Sequence, residues 1–232
     1  MHSAWLGAWQ WQQVAKTLET AGHTVITPDL AGHGSDKTPV SDITMETYVN
    51  QLLAILDGQP EKVVLVGHSF NGITVSRMAE LRPKKIDRLV YLTAFLLPNG
   101  ASFYDAVKGV PDSKAVEHFF LSEDQTEAFV KSEEMQNAFA HDIPAEALNQ
   151  AIAYIVPEPA APLGYKLEVT DAVFGKIPKY YIECTDDRAI PISAQRSTYE
   201  GKVEKVFTLN SSHTPNFSQP DKLSAILLEV IQ

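Results

Sequence analysis

Cysteine is nearly absent: Cys184 is the only one in 232 residues, which excludes an intrachain disulfide and makes a reducing compartment, the cytoplasm, the expected setting. Positive charge is also scarce, with 19 Lys and Arg against 29 Asp and Glu and a formal net charge of −10. A nucleic-acid surface needs clustered cations to meet phosphates, so none is expected. No apolar run is long enough to cross a bilayer and no secretory leader is visible, so no membrane role is expected. No cluster of His, Cys and carboxylates has metal-ligand spacing. Neither G-x-G-x-x-G nor a phosphate-binding loop occurs, so no metal or cofactor is expected. Repeats and low-complexity tracts are missing too.

What remains is ordinary globular material, 44% apolar and 21% charged, of a length that suits one domain with a sizeable core. Short β-branched runs alternate with helical patterns, which predicts an α/β protein with a parallel sheet and helices on both faces. Strands are expected at 23–27, 62–66, 87–92, 179–183 and 203–209. Helices are expected from about Met45 to Leu56, Gly72 to Leu81 and Asp221 to Ile231. Between residues 102 and 169 the strand-like runs vanish, and helices are expected at Ser122–Ser132 and Ala145–Ile155. Residues 1–101 and 170–232 therefore read as the core and 102–169 as an inserted helical cap.

Gly67-His68-Ser69-Phe70-Asn71-Gly72 lies between a strong strand and a strong helix, the setting of a nucleophile elbow. Asn71 stands where G-x-S-x-G has its last glycine, and Asn tolerates left-handed backbone better than most residues. A serine hydroxyl needs a base, and the base needs a partner to hold its tautomer. His213 follows the last strand, and the acids Asp186 and Asp187 follow the one before it. Both are loop positions at the carboxyl ends of strands, where such sheets keep their sites. The residues alone do not separate Asp186 from Asp187. An oxyanion hole would use the N–H of Phe70 and one N–H from the loop His2–Trp11. His68 is expected to pack away from the site, Cys184 to fill core, and Asp29 and His33 to hold a turn. Phe119, Phe120, Phe129, Phe139 and Tyr154 are expected either to line a pocket or to form the insertion's own core.

These segments together resemble the esterase branch of α/β-hydrolases that includes plant methylesterases, hydroxynitrile lyases and their bacterial relatives. The resemblance rests on His2–Trp11, Pro28–Gly34, Gly67–Phe70, Asp186–Gln195 and Ser212-His213. It implies the α/β-hydrolase fold, a mostly parallel central sheet flanked by helices with a small helical cap. It also implies the triad Ser69, Asp187 and His213, oxyanion donors Ala4 and Phe70, no cofactor, and often a homodimer. In this fold the first loop follows an inner strand, yet the chain opens at Met1-His2-Ser3, so residues upstream or an unusual start are expected.

Ser3, Trp5 and Thr214 are the expected substrate-facing residues. Hydroxynitrile lyases of this branch carry Lys after the catalytic histidine, where this chain has Thr214. The expectation is therefore a serine carboxylesterase acting on a small or medium apolar ester, methyl esters first. A C–C lyase and a non-catalytic small-ligand receptor on the same scaffold are the rival readings.

Overall fold

Val63, Val64, Leu65 and Val66 are apolar and mostly β-branched, and such residues pack well on a pleated surface. They form β1 (Val63–His68) in the computed structural model, which describes residues 1–110, 112–144, 146 and 153–232. β2 (Ile86–Leu92), β6 (Lys179–Cys184) and β7 (Lys205–Leu209) join it in a four-stranded sheet of order β1-β2-β6-β7, parallel throughout. Pairings such as Val66 with Val90, Tyr91 with Tyr181 and Ile182 with Phe207 set the register.

Alternation along β2 sends its side chains to two different cores. Leu89 and Tyr91 face one layer with Leu52 of α2 (Met45–Asp57) and with Ile73 and Met78 of α3 (Gly72–Leu81). Val90 and Leu92 face the other with Trp11, with Val14 and Leu18 of α1 (Gln12–Thr20), and with Leu223 and Leu227 of the final helix, Pro220–Ile231. All four β2 residues are fully buried, and each such side chain contributes roughly 1.5–3 kcal/mol by leaving water. Local signals start and stop the helices. Thr44 caps α2, its hydroxyl accepting from Thr47 N–H while the Thr47 hydroxyl accepts from Thr44 N–H. Pro83 follows the end of α3.

Three expectations need correction. Residues 23–27 form no strand, because among the described residues no strand lies beside them to complete a ladder. Met1 lies along β1: Met1 N donates to Val66 O, and His68 N–H donates to Met1 O. That is the bonding of one residue of a parallel strand, and a groove of about 560 Å³ runs between β1 and residues 22–28. Ser122–Ser132 is not a helix. The Ser122 hydroxyl accepts from Thr126 N–H and Glu127 N–H, and Asp124 accepts from the Ser122 and Thr126 hydroxyls. These side chains close a tight turn in competition with a helix, with Gln125 at φ +60. The turn joins β3 (Phe119–Leu121) to β4 (Glu127–Val130), and β5 (Glu158–Pro159) completes an antiparallel sheet of order β3-β4-β5. The segment expected to be a helical cap is thus mixed, with that sheet beside short helices at Phe103–Val107, Lys114–Glu117 and Ser132–Phe139. The helix expected at Ala145–Ile155 falls mostly outside the described residues.

Candidate active site

Glycine decides the turn after β1. A Cβ on Gly67 would lie 2.8 Å from the Asn71 carbonyl oxygen, and one on Gly72 would lie 2.6 Å from the Phe95 carbonyl oxygen. Only residues without a side chain let strand and helix meet this closely. Ser69 stands at the apex with φ +58, a left-handed backbone uncommon outside glycine, and is held there as Phe95 N–H donates to its carbonyl at 3.1 Å. Asn71 adopts φ −73, so tolerance of left-handed backbone does not explain the departure from G-x-S-x-G. Its side chain has room and uses it: Nδ2 donates to His2 O at 2.7 Å, and Oδ1 accepts from the Thr74 hydroxyl at 2.6 Å.

Asp187 and His213 meet across 26 residues, with His213 Nδ1 2.6 Å from Asp187 Oδ2. A carboxylate accepts, so Nδ1 carries the proton and Nε2 keeps its lone pair. The Thr93 hydroxyl also donates to Oδ2, and Oδ1 accepts from Ala189 N–H and Ile190 N–H at 2.7 and 2.8 Å. Both side chains are buried, and His213 Nε2 has no hydrogen-bond partner among the described residues. No hydrogen bond joins Ser69 to His213, a contact that often tightens only when substrate is bound. Asp186 points elsewhere, to His141 Nε2 at 2.9 Å.

The loop before α1 presents its amides in turn. Ser3 N–H donates to Gln10 Oε1 and Trp5 N–H to Glu158 Oε2, both at 3.0 Å, while the Ala4 N–H between them meets no acceptor among the described residues. Trp5 follows at φ +63, a left-handed backbone uncommon outside glycine. Phe70 N–H lies in the first turn after Ser69, where helical donors lack intrahelical partners.

Ser3, Ala4, Trp5 and Thr214 line a small apolar cavity together with Trp9, Met135, Phe139 and Phe217. At about 30 Å³ it holds little more than one water-sized molecule. The polar atoms of the three candidate substrate-facing residues are already engaged. The Thr214 hydroxyl donates to Phe139 O, Trp5 Nε1 to Ala128 O, and the Ser3 hydroxyl reaches Gln10 Oε1. Of the insertion's aromatics, Phe139 faces this cavity, Phe119 packs on Phe103 and Tyr104, and Phe120 stacks on Phe129 at the surface. Tyr154 is exposed, its ring against Trp9. The larger groove beside β1 shares no lining residue with this cavity.

Several residues around the site carry no sequence signal of their own. Glu158, buried within a proline-rich connection, accepts from Trp5 N–H, from His33 Nε2 at 2.8 Å and from the Tyr48 hydroxyl. Burial pulls the His33 pKa down, but the Glu158 carboxylate outweighs it and leaves the pKa raised. His2 accepts from Leu30 N–H through Nε2 and points Nδ1 at Ser3 O. Burial, with the nearby His33 acting the same way, lowers its pKa to about 3. His68 is buried as expected, yet it is bonded to Gln10 and to the His213 backbone rather than packed among apolar groups. Asp29 accepts from Ala8 N–H and Ser35 N–H, and Cys184 fills core between β6 and the final helix. Among the described residues no three His, Cys, Asp or Glu side chains form a metal-ligand set, and no helix is long and apolar enough to cross a membrane.

Comparison with known proteins agrees with this architecture. Residues 1–226 match the Alpha/beta hydrolase family. The chain is 33% identical over 243 residues to Putative methylesterase 11, chloroplastic, of Arabidopsis thaliana, covering 99% of this chain and 62% of that protein. It is 31% identical over 227 residues to Pyrethroid hydrolase of Sphingobium wenxiniae, covering 93% of this chain and 80% of that protein. The crystal structure of a pyrethroid hydrolase from Sphingobium faniae JZ-2 superposes with a TM-score of 0.88 at 29% identity, covering 98% of this chain and 94% of that one.

Proposed function

The chain belongs to the alpha/beta hydrolase family, and on that premise we propose that it is a serine carboxylesterase taking small or medium apolar esters, methyl esters first. The observation that carries this reading is the base: His213 is held by Asp187 through Nδ1, with Nε2 buried and without a partner among the described residues. The names of the relatives, methylesterases and pyrethroid hydrolases, point to the same class of substrate.

In the proposed reaction Ser69 Oγ attacks the ester carbonyl as His213 Nε2 takes its proton. The carbonyl oxygen becomes an oxyanion, and the N–H groups of Ala4 and Phe70 stabilise it. His213 then protonates the leaving alcohol, which departs as the acyl group stays on Ser69. The same nitrogen activates a water that frees the acid. Asp187 holds the ring in the tautomer that keeps Nε2 bare. The aromatic walls of the cavity, Trp5, Trp9, Phe139 and Phe217, suit an apolar substrate.

Lyase chemistry is disfavoured by position 214, where the hydroxyl of Thr214 donates to Phe139 O and brings no cation to the site. The single buried Cys184 suits a reducing compartment such as the cytoplasm. Release of p-nitrophenol from short-chain esters, compared with Ser69→Ala, tests the assignment. Loss of several orders of magnitude in turnover is expected, and near-full activity in the variant would sink it.

A further inference from the structure

Three segments far apart in the chain are joined by one run of hydrogen bonds. Ser3 N–H donates to Gln10 Oε1 at 3.0 Å, Gln10 Nε2 meets His68 Nδ1 at 2.9 Å, and His68 Nε2 meets His213 O at 2.8 Å. The direction of every bond follows from the first. A backbone N–H can only donate, so Gln10 turns its oxygen to Ser3 and its amino group to His68. An amino group can only donate, so His68 Nδ1 carries no proton. A neutral ring then holds its proton on Nε2, facing a carbonyl that can only accept. A doubly protonated His68 would set N–H against N–H at Gln10.

We propose that Gln10 and His68 are positioning residues that set the spacing between the oxyanion loop and the loop of the base, with His68 locked in its neutral Nε2–H form. The proposal rests on the reading of Ser69, His213 and Asp187 as the active site. Each bonded group adjoins a part of that site, since Ser3 precedes the Ala4 amide, His68 precedes Ser69, and the bonded carbonyl belongs to His213 itself. A second tie runs in parallel, with Asn216 Nδ2 donating to Gln10 O at 2.8 Å. Gln10 and His68 are buried, and every polar side-chain atom of both is engaged within the protein, which leaves none to meet substrate. Burial, with the His213 ring 4.8 Å away acting in the same direction, keeps His68 well below the ordinary imidazole pKa. A neutral ring there also places no like charge beside the imidazolium that forms on His213 during turnover.

The test is imidazole 15N–1H correlation NMR on the full chain labelled at histidine, with the His68 signals assigned through His68→Gln. A bare Nδ1 and a protonated Nε2 are expected, unchanged between about pH 5 and 9. Gln10→Glu keeps the acceptor for Ser3 but turns a second oxygen onto Nδ1, so a proton must appear there. In that variant and in Gln10→Met, kcat is expected to fall roughly 10- to 100-fold with KM nearly unchanged, the effect of slightly misplaced reacting groups. Phosphonylation of Ser69 by a fluorophosphonate should slow in parallel, which reads the relay without any ester substrate. A proton on Nδ1 of the wild type would overturn the proposal. So would a Gln10→Glu variant that gains that proton with kcat and phosphonylation unchanged. Normal phosphonylation and the stated tautomer in a protein that cleaves no ester would count against the ester reading alone.

Discussion

His213 Nδ1 lies 2.6 Å from Asp187 Oδ2, whereas the adjacent carboxylate of Asp186 is more than half exposed and pairs with His141. Two neighbouring acids of one type therefore have separate fates. Asp187→Asn would offer His213 a donor in place of an acceptor, drive the proton to Nε2 and lower kcat by roughly 10⁴-fold. Asp186→Asn should stay within a few-fold of the wild type. Steady-state kinetics on a p-nitrophenyl ester separates the two, and equal losses would contradict the assignment.

Asn71→Gly restores the usual G-x-S-x-G and nonetheless should harm the protein. It removes the bonds to His2 O and from the Thr74 hydroxyl, both buried. A loss of about 1–3 kcal/mol in urea unfolding is expected, because buried polar groups are left unpaired. A variant as stable as the wild type would show that these bonds contribute little.

Glu158 holds Trp5 N–H, His33 and Tyr48 at once. Glu158→Leu orphans all three and is expected to cost about 3–5 kcal/mol, the range for breaking a buried pair. Glu158→Gln keeps an oxygen for Trp5 and His33, and its amino group can donate to the Tyr48 oxygen, so most of that stability should return. Chemical denaturation of both variants checks the order.

Acid should weaken the fold through His2. Its folded pKa is about 3 against 6.5 for an ordinary imidazole, so below pH 6.5 the unfolded chain binds a proton that the folded chain refuses. Stability is full above pH 6.5 and falls by about 1.4 kcal/mol per pH unit on the way down towards 3. His33, with its pKa raised, acts in the opposite sense: its contribution is present below pH 6.5 and is lost as pH rises through its folded value. Unfolding free energies of the wild type and His2→Phe between about pH 7 and 4 test this, and identical slopes would refute the role of His2.

The core strands and α3 are legible from sequence because their causes are local. Val63–Val66 is β-branched, Gly67 and Gly72 flank a serine at the turn, and Pro83 follows the helix end. The turn at Ser122–Thr126 was not legible, since helix and hairpin compete for the same residues there and the bonds from Ser122 and Asp124 tip the balance. Residues 23–27 show the converse: they have a strand-like composition, but a strand exists only where a neighbour completes its ladder.

The four core strands, the helices packed on them, the turn at Ser69 and a short set of acids and histidines can be read from local sequence, because periodicity, sterics and turn chemistry act within a few residues. Which acid faces His213, which loop amide meets no acceptor among the described residues, and what Gln10, His68 and Glu158 bond to follow only from the folded arrangement. Those outcomes depend on buried donors meeting acceptors 26 to 153 residues away, and a buried polar group is settled by whichever partner the fold brings within hydrogen-bond reach.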